Sequence, residues 1–183
     1  TDHVLMVRPA SFRANEQTAA NNYYQKHTAL TAAQSLLQAQ SEFDTLASCL
    51  RMNNIKVTVV QDTLTPDTPD ALFPNNWFAL LGNGQLVLFP MFAENRRAER
   101  SNSIFEALSK DGYEVTDTVD YSVYEQKQQF LEGTGSMVLD HQNRIAYCAL
   151  SARADAHLFH LFCEAFNFKP RCPPNCALPP SGC

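Results

Sequence analysis

The sequence predicts a mixed α/β fold assembled from repeated strand-strand-helix-strand units. Two observations carry this. Short β-branched and aromatic runs alternate along the chain with longer stretches of helical periodicity. Two segments, residues 70–115 and 131–166, also present their parts in the same order. A unit of this kind cannot bury its apolar face alone, so repetition implies a ring or array in which each unit covers its neighbour. Where strand ends bring polar groups to a common axis, such a ring offers a natural small-molecule site.

Element by element, residues 4–7 read as a strand and residues 30–53 as an amphipathic helix, with Leu36, Phe43, Leu46 and Leu50 on one stripe. Ile55, Val57 and Val59 alternate as the next strand, closing a first, less regular unit. In the second unit, the apolar run ending at Leu81 leads into Gly82-Asn83-Gly84, a hairpin signal because Asn-Gly accepts positive φ. A strand at 86–89, a helix at 100–110, a turn at Asp111-Gly112 and a short strand at 113–115 follow. The third unit repeats the order, with a strand at 136–139, a turn at His141-Gln142-Asn143, a strand at 145–149 and a helix at 154–166. Unit boundaries fall at about 1–62, 63–118 and 119–170.

A chain of 183 residues with 45% apolar content is one large domain or a fragment of a bigger one, with enough apolar surface for a proper core. Its formal charge of -5 argues against nucleic acid, and the one dense basic run, at 95–100, is short and mixed with acid. No apolar stretch reaches the length of a membrane span and no signal pattern opens the chain, so a soluble cytoplasmic protein is expected.

The most informative stretch runs from Leu131 to Arg153, with an acid and two glycines before one apolar strand and an arginine after the next. Glycines opening a strand allow backbone to approach a ligand closely. Glu132 could receive a planar cationic or amide group through paired hydrogen bonds, and Arg153 a carboxylate. Together they could grip both ends of an amino-acid-like molecule. The competing reading is a hairpin with an ordinary surface glutamate and arginine.

Cys49, Cys148 and Cys163 lie in apolar segments and are expected to be small buried hydrophobes. Cys172, Cys176 and Cys183 lie among prolines in the last thirteen residues, which read as a disordered tail or an aberrant chain end. His157, His160 and Cys163, with Cys172 and Cys176, could be read as a zinc site. Three positions spaced in threes rotate around a helix, however, and the simpler reading is a buried stripe of Phe159, Phe162 and Phe166 flanked by histidines. Trp77, Phe78 and Phe73 are likewise expected in the core.

Four motifs carry a resemblance: Phe73-Pro74-Asn75-Asn76-Trp77-Phe78, Glu94-Asn95-Arg96-Arg97-Ala98-Glu99-Arg100, Leu131-Glu132-Gly133-Thr134-Gly135-Ser136, and Ser151-Ala152-Arg153-Ala154-Asp155. In this order they resemble the guanidine-modifying superfamily of arginine deiminases, dimethylarginine hydrolases and amidinotransferases, most closely its bacterial amidinotransferase or citrulline-utilising branch. The resemblance implies a pseudo-fivefold fan (α/β propeller) with substrate in its central channel, of which about three of five units are present. It implies attack by a cysteine thiolate on a guanidine or ureido carbon, a proton-shuttling histidine, and no cofactor.

Residue by residue, Glu132, with Gly133, resembles the carboxylate motif that binds the guanidine or ureido nitrogens, and Arg153 the arginine that binds the substrate carboxylate. Arg97 resembles a second arginine near the entrance, while Asp70, Asn75 and Asn76 fall where relatives place substrate-facing groups. Asn76 stands where many relatives carry aspartate; an amide adds no negative charge and offers a donor, which favours a neutral ureido compound such as citrulline. The catalytic histidine and cysteine belong to later units of the family. Here Cys172 is the candidate thiol, and it lacks the glycines and serine that would place it at a strand end. The chain therefore looks truncated and inactive alone. The rival to an enzyme is a ligand-binding or assembly module, whose open sheet edges would favour a homo-oligomer.

Overall fold

A computed structural model describes residues 2–19, 29–82 and 84–172. The chain divides into two compact units, one of Thr1–Pro74 and Ala93–Thr116, the other of Asn75–Phe92 and Asp117–Cys183.

In the first unit, β1 (His3–Arg8) and β2 (Lys56–Gln61) pair in parallel, with Val4 opposite Val57 and Val7 opposite Val60. The crossover between them is α1 (Ala32–Met52). Its start is a capping box: the Thr31 hydroxyl accepts from Gln34 N at 3.3 Å, and the Gln34 side chain accepts from Thr31 N at 2.9 Å. The buried stripe is Ala39, Phe43 and Ala47, with Leu36 and Leu50 partly covered, whereas Leu46 is 52% exposed. Leu46 lies at the margin of a stripe centred on Phe43, whose flanking alanines are small enough to let the helix approach the sheet. Cys49 is also exposed, correcting the expectation from its apolar neighbours; it lies on the far side of the same helix. Arg8 clamps β1 to α1 through Nε and Nη2 on the two Asp44 oxygens at 2.8 and 2.9 Å. Two further helices, α2 (Glu94–Arg97) and α3 (Asn102–Lys110), complete the unit, and α3 packs Ile104 and Leu108 inward and rests on β2.

The second unit holds two three-stranded sheets of one plan. In the first, β3 (Phe78–Leu80) pairs antiparallel with β4 (Gln85–Leu88), and β4 parallel with β5 (Asp117–Asp120). The β3–β4 connection is closed by Leu81 N to Gln85 O at 2.9 Å, and Asn83 of the expected turn lies outside the described residues. A one-turn helix, α4 (Gly133–Ser136), then precedes β6 (Met137–Asp140), so the glycines after Glu132 form a helical turn and not the opening of a strand. β6 pairs antiparallel with β7 (Ile145–Cys148), and β7 parallel with β8 (Lys169–Arg171), after α5 (Ala156–Ala165). Asp155 caps α5, accepting from Leu158 N at 3.0 Å.

Each helix that feeds a parallel strand ends the same way. After α1, Ile55 N reaches Leu50 O at 3.1 Å; after α3, Tyr113 N reaches Leu108 O at 2.9 Å; after α5, Phe168 N reaches Cys163 O at 2.8 Å. The residue before each of these donors has positive φ: Asn54 at 60°, Gly112 at 87° and Asn167 at 54°. This is the Schellman closure, which satisfies the last carbonyls and turns the chain. It also explains why 113–115 is not a strand, as the sequence suggested: Tyr113 is used in the cap, and pairing begins only at Asp117.

The core of the second unit gathers Val87, Phe89, Leu158, Phe159 and Phe162, with Phe162 stacked on Phe168 at 5.8 Å. Trp77 and Phe78 are buried, but Phe73 is 44% exposed. Cys148 and Cys163 are buried as expected. The phenylalanine stripe of α5 is buried, and among the described residues no three potential metal ligands cluster. His27, Cys176, Cys183 and the rest of the predicted tail beyond Cys172 lie outside the described residues. No described helix is long and apolar enough to cross a membrane.

Candidate functional site

Glu132 is the centre of the polar cluster in the second unit. Its side chain is fully buried, an expensive position for a carboxylate unless donors surround it. Oε1 accepts from Phe92 N at 3.1 Å; Oε2 accepts from Arg153 Nε at 2.7 Å, is paired with Arg153 Nη2, and has Asn76 Nδ2 at 3.5 Å.

The backbone that places Glu132 is held from two sides. Leu131 N donates to Pro90 O at 3.2 Å, and Glu132 N donates to Arg153 O at 3.2 Å. The Ser136 hydroxyl adds a second donor to Arg153 O at 2.9 Å, while Arg153 N donates to the Ser151 hydroxyl at 3.1 Å. Asp155 N to Phe130 O at 2.7 Å completes the clasp. Thus the Leu-Glu-Gly-Thr-Gly-Ser and Ser-Ala-Arg-Ala-Asp motifs, some twenty residues apart in sequence, are one hydrogen-bonded structure.

The glycines have a specific reason. A Cβ on Gly133, where φ is +25°, would lie 2.3 Å from Asn75 O, and one on Gly135 would lie 2.5 Å from Asn76 Nδ2. The Asn75-Asn76 turn, part of a 3-10 segment (Pro74–Asn76), therefore presses directly on the Gly-Thr-Gly turn. Asn75 Nδ2 donates to Asn76 Oδ1 at 3.1 Å and to the Thr134 hydroxyl at 2.9 Å.

Of the residues expected to bind a ligand, Glu132, Gly133, Arg153, Asn75 and Asn76 come together in this cluster. Glu132 and Arg153 touch each other directly, where the expectation had them at opposite ends of a ligand. Asp70 and Arg97 belong to the first unit. There Asp70 accepts from Asn15 Nδ2 at 2.7 Å, and Arg97 Nη1 lies 3.9 Å from Glu94. The buried arginine of that motif is Arg96, whose Nε and Nη2 meet the two Glu99 oxygens at 2.8 and 3.0 Å and whose Nη2 also donates to Phe73 O.

Reading the sequence alone missed Asn15, wholly buried against Asp70 and Asn95, and also missed Thr134 and Gly135 as partners of the asparagines. Only the adjacency of Thr134 and Gly135 to Glu132 could have drawn attention to them. Cys172 packs against the phenylalanine core, and the Cys163 thiol near it is pushed up to about 11, by burial first and by Cys172 second. A surface depression of about 440 Å³, lined by Leu81, Gln85, His141, Arg144 and Phe166 among others, shares no residue with the Glu132 cluster.

The family model for eukaryotic N,N-dimethylarginine dimethylhydrolases matches residues 8–172, nearly the whole chain. The chain belongs to this family. It is thereby a member of the guanidine-modifying superfamily, as the four motifs suggested. No curated protein matches in sequence. Among solved structures, the substrate-bound N-terminal domain of ArgZ, an arginine dihydrolase from the ornithine-ammonia cycle in cyanobacteria, is 17% identical with a TM-score of 0.67, covering 93% of this chain and 56% of that one. AgrE in a binary complex with L-arginine is 17% identical with a TM-score of 0.66, covering 94% and 23%. A dimethylarginine dimethylaminohydrolase adduct with S-methyl-L-thiocitrulline is 14% identical with a TM-score of 0.60, covering 94% and 60%. At these identities the likeness establishes a mixed α/β fold shared with the superfamily. The chain spans little more than half the length of the ArgZ N-terminal domain.

Proposed function

We propose that this chain supplies the amino-acid-binding part of a hydrolase or amidinotransferase acting on the guanidine or ureido carbon of an arginine- or citrulline-like substrate. The observation that carries the reading is the wholly buried Glu132 carboxylate, with Asn76 and the Arg153 guanidinium on one of its oxygens. A buried carboxylate already holding a planar guanidinium has the shape and charge to hold another. Binding then requires Arg153 to leave Glu132 and turn to the ligand carboxylate; an arginine-like ligand exchanges one charge pair for two, and a citrulline-like ligand exchanges it for one charge pair and hydrogen bonds from the ureido nitrogens to Glu132. Asn75 and Gly133 complete the proposed set beside Glu132, while Asp70 and Arg97, in the first unit, are proposed as binding residues from the resemblance alone.

In this reading the chain is a partial α/β propeller over residues 1–170, with units at about 1–62, 63–118 and 119–170 of a five-unit fan. Support comes from the shared plan of the two sheets and from the three identical helix closures. The proton-shuttling histidine and nucleophilic cysteine of such a reaction are proposed to come from units of the fan other than these three.

Calorimetric titration of the 183-residue chain with citrulline, arginine and N-alkylguanidines tests the reading, alongside an assay for ammonia release. Binding of the amino acids without turnover is expected, lost in Glu132→Gln. Turnover abolished by Cys172→Ser would instead make this chain a complete enzyme. Because Asn76 carries no charge, citrulline is expected to bind more tightly than arginine; the opposite order would remove the ureido preference.

A further inference from the structure

The side chains around Asn76 form a directional chain. The Thr134 hydroxyl donates to the Asn75 carbonyl oxygen at 3.4 Å, which can only accept. With its hydrogen so placed, the Thr134 oxygen faces Asn75 as an acceptor and receives Nδ2 at 2.9 Å. The same Asn75 amide nitrogen uses its second hydrogen on Asn76 Oδ1 at 3.1 Å. Asn76 is thereby held with its oxygen toward Asn75 and its Nδ2 toward the Glu132 carboxylate at 3.5 Å, again a pure acceptor. Acceptors at both ends leave one polarity for every member between them. Gly135 makes room for this arrangement, since a Cβ there would strike the Asn76 amide at 2.5 to 2.9 Å.

We propose that Thr134 and Asn75 are specificity-determining positioning residues, which lock the Asn76 carboxamide donor-outward so that the Glu132 site accepts a ureido oxygen and discriminates against a guanidinium. The inference rests on the functional reading above and deepens it. A guanidinium presents only N–H donors, so beside a fixed Asn76 NH2 it meets donor against donor. A ureido group presents an oxygen in that place and two nitrogens to Glu132. A freely rotating Asn76 would serve either ligand; a clamped one serves the ureido group.

Thr134 and Asn75 are exposed, so substitutions there remove the clamp with little effect on the core. The test compares the full chain with Thr134→Val, Thr134→Ser and Asn75→Asp, using two readouts. The first is the Asn76 side-chain NH2 pair in an amide NMR spectrum, assigned by its disappearance in Asn76→Asp. Two well-separated hydrogens resistant to exchange are expected in the wild type and in Thr134→Ser, and a collapsed, fast-exchanging pair in Thr134→Val and Asn75→Asp. The second is the ratio of citrulline to arginine affinity, expected to fall by about fivefold in Thr134→Val and Asn75→Asp, the worth of one ordinary hydrogen bond, and to be restored in Thr134→Ser. An Asn76 pair unchanged by Thr134→Val and Asn75→Asp overturns the positioning role. So does an affinity ratio that stays constant while both ligands weaken together. If the wild type binds neither ligand, the functional reading falls and the discriminating role falls with it, while the NMR readout still decides whether the clamp exists.

Discussion

Glu132 and Arg153 show how one residue's burial sets another's role. A carboxylate with no exposed surface depends on its donors, and Arg153 supplies the charged ones. Arg153→Gln is expected to weaken amino-acid ligands by at least about tenfold, since a charge-assisted hydrogen bond is worth about 1.5–3 kcal/mol. Alkylguanidines, which lack a carboxylate, should lose far less. Titration of both ligand classes checks this; equal losses would mean that Arg153 only supports Glu132. Arg96 is the structural counterpart in the first unit, its side chain 3% exposed against a Glu99 side chain 1% exposed. Arg96→Met should destabilise the chain by about 3–5 kcal/mol, because it removes the guanidinium from which both buried Glu99 oxygens accept. Urea denaturation measures it, and a loss below 1 kcal/mol would contradict the pairing's importance. Adjacent in sequence, Arg96 and Arg97 look equivalent on paper, and only the fold separates the buried one from the partly exposed one.

At the scale of elements, the helix-to-strand transitions were partly legible. Asp111-Gly112 announces a turn by its glycine, but Asn54 and Asn167 do the same work with side chains that tolerate left-handed backbone less plainly. Gly112→Ala meets no atom within 4 Å, so its cost is that of forcing an alanine to φ +87°, about 1 kcal/mol. Gly133→Ala is different: the 2.3 Å approach to Asn75 O forces backbone to move, and about 1–3 kcal/mol is expected, together with loss of the Asn75–Thr134 bond. Thermal melting of the two variants should rank them in that order. Strand β5, Asp-Thr-Val-Asp, escaped reading because its pattern is polar; it exists through pairing with β4, a long-range fact that no local periodicity reports. The contact of Thr134 with Asn75 spans 59 residues and escaped for the same reason.

For the whole chain, the longer helices and the apolar strands were readable in order because each keeps its own hydrophobic period, and the four motifs identified the superfamily. What the motifs could not convey was which polar residues support the structure and which face a ligand. The pattern of charge adds a further expectation. Asp44 beside Arg8, Asp67 beside Arg13 and Asp111 beside Thr58 and Lys56 have carboxyls held below the usual range by those partners. A carboxyl with a folded value below its unfolded one stabilises the fold above the unfolded value, and loses that stabilisation as pH falls through the folded one. Melting temperature should therefore drop below about pH 4, and Asp44→Asn should flatten part of that drop. Thiol labelling offers another check: of the described cysteines, Cys49 should react first and Cys163, raised by burial, last.

The most direct test of the central claim is calorimetric titration of citrulline into the wild-type chain and into Glu132→Gln. A saturable one-to-one interaction in the wild type that is lost in Glu132→Gln is the predicted result. Equal binding by both proteins, or binding by neither, would contradict the assignment of Glu132 as the carboxylate that receives the reactive end of the ligand.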